Sequence, residues 1–254
     1  MLRPLLTGAH AGYVTDVTDQ ANLDAAPSLG PVLVTGGASG LGAAVAARLD
    51  AAGAPVTVLD RQPSPSGITT EIVDLADGAA AAEAVQRAVK DLGGLQAVVT
   101  CAGTDVPGRF DEVAAGDWER VVKVNLLGTA AVVRAALPAL MASGQGRVVT
   151  VASTLGHRAA SDATAYCASK FGVVGFTRAL MAELKGQVTV TLLTPGGMQT
   201  AFFEGREERY QPPPDLQLCD PADIADTVHF VLTRPPGCEV RELVVTPPNE
   251  GSWP

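Results

Sequence analysis

From residue 31 onward, short apolar runs rich in valine and threonine alternate with alanine-rich stretches of helical period. The runs are PVLVT (31–35), PVTVLD (55–60), ITTEIVD (68–74), LQAVVTC (95–101), GRVVTVAS (146–153), QVTVTLLT (187–194) and RELVVT (241–246). Between them the chain reads as helix near 40–52, 77–91, 117–142, 162–185 and 221–232. Strands this apolar are covered on both faces, and strands joined through helices run parallel. The expectation is an α/β fold, a doubly wound and mostly parallel sheet with helices on both faces, forming one domain over 31–254. Residues 1–30 show no sustained period and read as a loosely ordered N-terminal extension. The Pro- and Glu-rich interval 202–221 reads as a surface excursion suited to covering a substrate.

Composition narrows the function. The chain has 254 residues, 47% hydrophobic and 18% charged, which is globular. Its net charge of −9 argues against a nucleic-acid groove or an anionic membrane surface. No apolar run looks long enough to span a bilayer, and the N-terminal residues do not form a signal peptide. Cys101, Cys167, Cys219 and Cys238 make no CxxC, and His10, His157 and His229 are scattered, so no metal site is expected. A soluble cytoplasmic protein with free thiols follows.

Parallel sheets bind ligands at the carboxyl ends of their strands. After the first strand comes TGGASGLG, with Thr35, Gly36, Ser39, Gly40 and Gly42. Glycines let backbone approach a pyrophosphate, and the following helix offers free N–H groups; a tight turn without a ligand is the alternative. Asp60 ends the second strand, eighteen positions past Gly42, where a carboxylate accepts hydrogen bonds from a ribose and repels a 2′-phosphate. It favours NAD over NADP, although Arg61 beside it can attract a phosphate. Asp74 either meets an adenine edge or caps a helix; Asp77 is the better cap. Cys101, Ala102 and Gly103 form a slim loop, with Cys101 either a thiol catalyst or a small buried residue. Asn125 and Gly128 are poor helix-interior residues; Asn125 either satisfies broken backbone hydrogen bonds or holds a water. Ser153 follows the fifth strand. Ala163, Tyr166, Lys170, Val173, Thr177, Leu180 and Leu184 share one helix face, mostly apolar. Lys170 on that face either snorkels or finds its partners on a ligand. His157, Arg158, Thr104 and Asp105 are further candidates for a substrate pocket.

TGGASGLG, Asp60, Asp74, CAG, Asn125, Ser153, YCASK and PGGMQT occur in the order of the short-chain dehydrogenase/reductase family, and Tyr166 lies thirteen positions after Ser153 as is usual there. The chain resembles that family in its compact one-domain form, with a Rossmann fold, over about 31–246. The resemblance implies an NAD(P)-dependent oxidoreductase that interconverts a secondary alcohol and a ketone, with NAD preferred. It implies Tyr166 as general acid/base and Lys170 as the residue that binds the nicotinamide ribose and lowers the tyrosine pKa. Ser153 would bind the substrate oxygen and Asn125 a proton-relay water. Met198 and Thr200 would contact the nicotinamide side, and Leu41, Leu75, Pro195 and Gly196 would complete the cofactor contacts. The family's second asparagine after the fourth strand is Cys101 here, which preserves a backbone role only. Ala168, Gly172, Gly175 and Ala179 form a stripe of small residues through which such proteins assemble, so a homo-oligomer, dimer or tetramer, is expected. A non-catalytic dinucleotide-binding sensor or scaffold is the main alternative; an intact Ser153, Tyr166 and Lys170 set disfavours it. A related lyase or epimerase is a third reading, disfavoured by the lack of an extra substrate domain.

Overall fold

The computed structural model describes residues 29–253. The expected N-terminal extension therefore lies outside the described residues, except that Leu29 is already packed in the core. The chain forms β1 (Val32–Thr35), α1 (Gly40–Ala51), β2 (Val56–Asp60), β3 (Thr70–Ile72), α2 (Gly78–Leu92), β4 (Ala97–Thr100), α3 (Ala115–Val122), α4 (Thr129–Ala142), β5 (Arg147–Val151), α5 (Thr164–Glu183), β6 (Thr189–Pro195), α6 (Pro221–Leu232) and β7 (Glu242–Val245). The seven strands lie in the order β3-β2-β1-β4-β5-β6-β7, every pairing parallel.

The four residues of β1 and of β4, and all five of β5, are buried, as continuous apolar runs require. One face of the sheet is covered by α1 and α6, through Leu41, Val45, Leu49, Ile224, Val228 and Leu232. The other is covered by α2, α4 and α5, through Ala84, Val85, Val132, Val133, Leu140 and Leu180. At about 25 cal/mol per Å² of apolar surface, such two-sided burial is what holds the strands together. Asp77 caps α2 by accepting from the N–H groups of Ala79 and Ala80, and Asp220 caps α6 ahead of Pro221.

Three expectations are corrected. The third strand spans three residues rather than 68–74. The helix expected over 117–142 starts at Ala115 and is interrupted by a π-helical segment, Lys123–Gly128. Gly128 allows the distortion to pack: a Cβ there would overlap the Leu75 carbonyl. The combined helix Ala115–Ala142 is also long and apolar enough to cross a membrane by length and composition. In the fold its second half lies against α2 and the sheet, where Val132, Val133, Ala136 and Leu140 are buried.

Candidate active site

The carboxyl ends of the strands open into one cavity of about 890 Å³. It is lined by the glycine turn, Asp60, Asp74, Leu75, the loop after β4, Ser153, Tyr166, Lys170, the loop after β6 and the excursion. Topology explains the convergence, because the chain reverses direction across the sheet between β1 and β4.

At the β1 end, Gly36 is at φ +73° and passes against the backbone of Ala102 closely enough that a Cβ would collide with it. A Cβ at Gly42 would overlap the Gly36 carbonyl oxygen. Ser39 is the N-cap residue of α1 but makes no side-chain capping bond, so the first N–H groups of the helix lack a side-chain acceptor. Gly40 and Leu41 continue the turn, with Gly40 near Thr200. Asp60 stands at the end of β2. Its Oδ2 accepts from Ala38 N–H at 3.0 Å and its Oδ1 from Gln62 N–H at 3.1 Å. The residue expected to read a ribose thus also braces the glycine turn.

Asp74 is not a helix cap. It accepts from Ala76 N–H at 2.9 Å and pairs with Arg120 at 2.8 Å. Burial works against its charge, but the Ala76 hydrogen bond and the Arg120 guanidinium hold its carboxyl below the ordinary range. The N–H of Ala102 donates to Thr35 Oγ1 at 3.1 Å, tying the two loops that form the cavity floor. Burial pushes the Cys101 thiol up to about 12, against a smaller opposing effect of Lys170. Such a thiol is protonated at neutral pH and is no nucleophile.

Asn125 is 1% exposed and lies in the π-helical segment. Its amide clasps the loop after β4. Nδ2 donates to the Thr104 carbonyl at 2.9 Å, and Oδ1 accepts from Thr104 N–H at 2.8 Å. Nδ2 also reaches Ser169 Oγ at 3.0 Å. The amide therefore satisfies backbone groups, but those of a neighbouring loop rather than of its own helix. A π segment is a common way to re-aim one side chain.

Ser153 begins a short 3₁₀ turn, Thr154–Gly156, where its hydroxyl accepts from Leu155 N–H at 3.2 Å, and it lines the same cavity as Tyr166. The expected face of α5 is buried: Lys170, Val173, Thr177 and Leu180 all lie inside. Lys170 Nζ donates to the Val151 carbonyl at 3.0 Å and sits 5.6 Å from the centre of the Tyr166 ring. Gly103 lies against both Lys170 and Asn125; a Cβ there would be 3.8 Å from Nζ and 3.6 Å from Asn125 Oδ1. Burial lowers the lysine pKa to about 8. Burial also raises the Tyr166 pKa to about 12, partly offset by the nearby Ser153 hydroxyl. Burial is thus the first influence on the phenol.

Pro195 ends β6, and Gly196, Gly197, Met198 and Thr200 follow along the cavity edge. Thr200 Oγ1 accepts from Phe202 N–H, opening the short turn Ala201–Phe203. The C-terminal NEGSWP segment takes part in the site. Glu250 accepts from Gly197 N–H at 3.0 Å, and the Ser252 hydroxyl joins Glu250 to Thr154 Oγ1, 2.6 and 2.7 Å away. The tail thereby ties the loop after β6 to the turn beside Ser153. A lone Glu in a terminal polar segment carries no periodic or spacing signal that would reveal this. Arg158 reaches the Gly251 carbonyl and His157 packs edge-on against Trp253, so both support the tail. The excursion lines the cavity with Phe202, Phe203, Arg206 and Tyr210, as its placement suggested. Its neck is closed by a bridge between Met198 and Cys219.

The cradle fits a dinucleotide. Two glycine positions have no room for a Cβ, a helix start lacks a side-chain cap, and one carboxylate stands at the β2 end.

The family model for short chain dehydrogenase matches residues 31–211. An uncharacterized oxidoreductase of Staphylococcus aureus strain MW2 is 31% identical over 226 residues, which are 85% of this chain and 96% of that protein. Among solved structures, an actinorhodin polyketide ketoreductase with NADPH superposes with a TM-score of 0.76 at 28% identity, covering 86% of this chain and 96% of the other. An alcohol dehydrogenase from the archaeon Thermococcus sibiricus, complexed with 5-hydroxy-NADP, shares the fold with a TM-score of 0.75 at 22% identity, covering 85% and 95%. The chain belongs to the short-chain dehydrogenase family, and is an NAD(P)-dependent oxidoreductase that interconverts alcohols and ketones by hydride transfer.

Proposed function

We propose that residues 31–254 act as one catalytic domain in which Tyr166 moves the proton, Ser153 holds the substrate oxygen, and NAD is preferred to NADP. The observation that carries this reading is that Ser153, Tyr166 and Lys170, the last 5.6 Å from the Tyr166 ring centre, line one cavity together with the glycine cradle. A nicotinamide dinucleotide bound in the cradle supplies the hydride acceptor or donor.

Ser153 and Tyr166 present two hydroxyls to one substrate oxygen, so an alcohol or carbonyl there is held in line with the proton it gives or takes. A phenol at about 12 is a poor base near neutrality, and oxidation needs its pKa brought down. Positive charge on the oxidised ring and the ammonium of Lys170 both act in that direction. Lys170 donates, among the described residues, to the Val151 carbonyl alone, and has donors left for a ribose hydroxyl. Asn125 holds Thr104 and with it the loop beneath the ring; the proton-relay water is assigned to the same amide.

Asp60 carries the cofactor preference. Its carboxylate accepts ribose hydroxyls and faces a 2′-phosphate with like charge. Arg61 is exposed beside it and softens the preference. The two solved relatives described above were seen with NADP-type cofactors, and a carboxylate at the β2 end is the feature that argues otherwise here. The expected setting is the cytoplasm, where Cys101, Cys167, Cys219 and Cys238 stay as thiols.

The test is a panel of secondary alcohols with NAD and NADP, followed by the absorbance of the reduced cofactor. Tyr166→Phe should lose about 10²–10⁴-fold in kcat while still binding NADH. Near-normal kcat in Tyr166→Phe would sink the assignment.

A further inference from the structure

Two loops line the cavity where β5 and β6 end, the turn that begins at Ser153 and the loop after Pro195, and the C-terminal tail joins them. Glu250 and Ser252 of that tail both line the cavity. The Glu250 carboxylate meets only donors. Its Oε2 accepts from Gly197 N–H at 3.0 Å, and its Oε1 accepts from Ser252 N–H at 3.0 Å and from the Ser252 hydroxyl at 2.6 Å. A hydroxyl has one proton to give. The charged carboxylate takes it, and the Thr154 hydroxyl, 2.7 Å away, then donates to the Ser252 oxygen. Thr154 is buried and follows Ser153 directly, while Gly197 stands between Gly196 and Met198. A Cβ on Gly196 would come within 2.5 Å of Glu250 Oε2, so glycine lets the loop rest against the carboxylate. Burial works against the charge of Glu250, yet the hydrogen bonds from Ser252 and Gly197 hold its carboxyl below the ordinary range. Two contacts pin the tail from outside. Arg158 Nη1 donates to the Gly251 carbonyl at 2.7 Å, and the Trp253 ring packs edge-on against His157, their centres 5.2 Å apart.

We propose that Glu250 is a positioning residue for the nicotinamide end of the cofactor: through Gly197 it fixes the loop after β6, and through Ser252 and Thr154 it fixes that loop relative to Ser153. The inference rests on the dehydrogenase reading of the same cavity, in which Met198 and Thr200 meet the nicotinamide and Ser153 the substrate oxygen. One reacting carbon is then carried by each side, and a misplacement of about 1 Å between them costs about 100-fold in rate. The separation of these two loops is therefore a dimension the protein has to hold. The β5–β6 ladder holds it as far as Val151 and Leu193, and the tail continues the connection past the strand ends. A carboxylate suits the task because it only accepts, taking the loop N–H and both Ser252 donors with no proton of its own to place. The glycine turn and Asp60, at the ends of β1 and β2, lie across β4 from this clamp and are braced by a contact of their own, Ala38 N–H to Asp60. The clamp thus acts on the nicotinamide half of a dinucleotide and leaves the adenosine half alone.

The experiment compares dissociation constants, by calorimetry, for NADH and for ADP-ribose, which lacks the nicotinamide. NADPH and 2′-phospho-ADP-ribose form a second pair, used in the same way. Glu250→Ala should weaken the nicotinamide-bearing ligand by about tenfold, the scale of a lost hydrogen bond to a charged group, and shift its ADP-ribose partner by less than about twofold. Glu250→Gln keeps one acceptor oxygen for three donors and should give an intermediate loss. Ser252→Ala keeps the Gly197 contact but unties the carboxylate from Thr154, and should weaken NADH by about 2- to 10-fold while sparing ADP-ribose. A merely structural role would lower both affinities together. A cooperative melt reports whether each variant is folded. Should Glu250→Ala lose that melt, Glu250→Gln and Ser252→Ala decide, a loss confined to NADH supporting the role and a parallel or absent loss overturning it. Equal weakening of NADH and ADP-ribose in Glu250→Ala, or weakening of neither, overturns the role and leaves the dehydrogenase reading in place. Wild-type protein that binds none of the four ligands overturns both.

Discussion

Replacing Lys170 with methionine should make the protein free of cofactor more stable at neutral pH while destroying its catalytic site. The lysine is 5% exposed, and burial lowers its pKa from 10.5 to about 8. Keeping it protonated at pH 7 therefore costs about 3 kcal/mol, from roughly 1.4 kcal/mol per pKa unit. Methionine removes that cost and fills similar space. It also leaves the Val151 carbonyl without its ammonium donor, a loss of about 1–3 kcal/mol. The net gain should be about 1 kcal/mol, or a rise of roughly 2–4 °C in Tm for a chain of this size. The sharper signature is its pH dependence. A base whose pKa is lower folded than unfolded binds more protons in the unfolded state between the two values. Wild-type stability should thus rise with pH between about 8 and 10.5, relative to a variant without this group. Tyr166, which burial pushes the other way, is present in both proteins and cancels in the difference, whereas Cys101 cancels except for its small coupling to Lys170. Urea unfolding at pH 7 and pH 9.5 should show the advantage of Lys170→Met shrinking by about 2 kcal/mol. A difference that does not change with pH would refute the claim that a desolvated ammonium sits there. In kinetics the same variant should lose both cofactor affinity and rate.

Asp60→Ala should lower kcat/KM with NAD by about tenfold or more and raise the relative use of NADP. Because Asp60 also braces Ala38 N–H, it should cost about 1 kcal/mol of stability as well, and an unchanged cofactor ratio would remove Asp60 from its role. Iodoacetamide at pH 7.5 should label the exposed Cys238 and spare Cys101, whose thiol stands at about 12; rapid labelling of Cys101 in intact-protein or peptide mass spectra would contradict that. Of the small-residue stripe, Gly172 packs against Leu126, while Ala168, Gly175 and Ala179 are exposed on α5 beside Phe171, so light scattering at micromolar concentration should give a dimer or tetramer mass, and Gly175→Arg a smaller one. A monomer mass for the unaltered chain would count against assembly through this helix.

The sheet was legible because β1, β4 and β5 are buried on both faces and so leave uninterrupted apolar runs. The site residues were legible where chemistry is tied to spacing, as with Ser153, Tyr166 and Lys170, or to strand ends, as with Asp60. The π segment was not: its six residues keep an apolar helical pattern, and only Asn125 and Gly128 hinted at the fault. β3 reads longer than it is because its flanks are equally apolar. The ion pair of Asp105 and Arg206 joins positions far apart in the chain, and Arg206 sits in a charge-rich stretch where most neighbours face water. Glu250 is hidden for the same reason. The ionisation of Tyr166 is a further lesson, since its direction depends on how completely Tyr166 and Lys170 are dried, and spacing says nothing of that.

The bridge between Met198 and Cys219 has a bearing on how such an enzyme changes over time. Gln199 N–H donates to the Cys219 carbonyl and Cys219 N–H to the Gly197 carbonyl, each at 2.9 Å, so the excursion leaves and rejoins the domain at one point. No strand of the sheet runs through it. Loop closure grows only slowly more costly with length, about 0.6 kcal/mol per doubling. Insertions, deletions or wholesale exchange beyond Thr200, within 202–216, therefore leave the sheet and the cofactor cradle nearly untouched while rewriting the wall that the substrate meets. The excursion is a cassette. A library confined to 202–216, with its neck retained, is the economical way to move this scaffold from one alcohol to another.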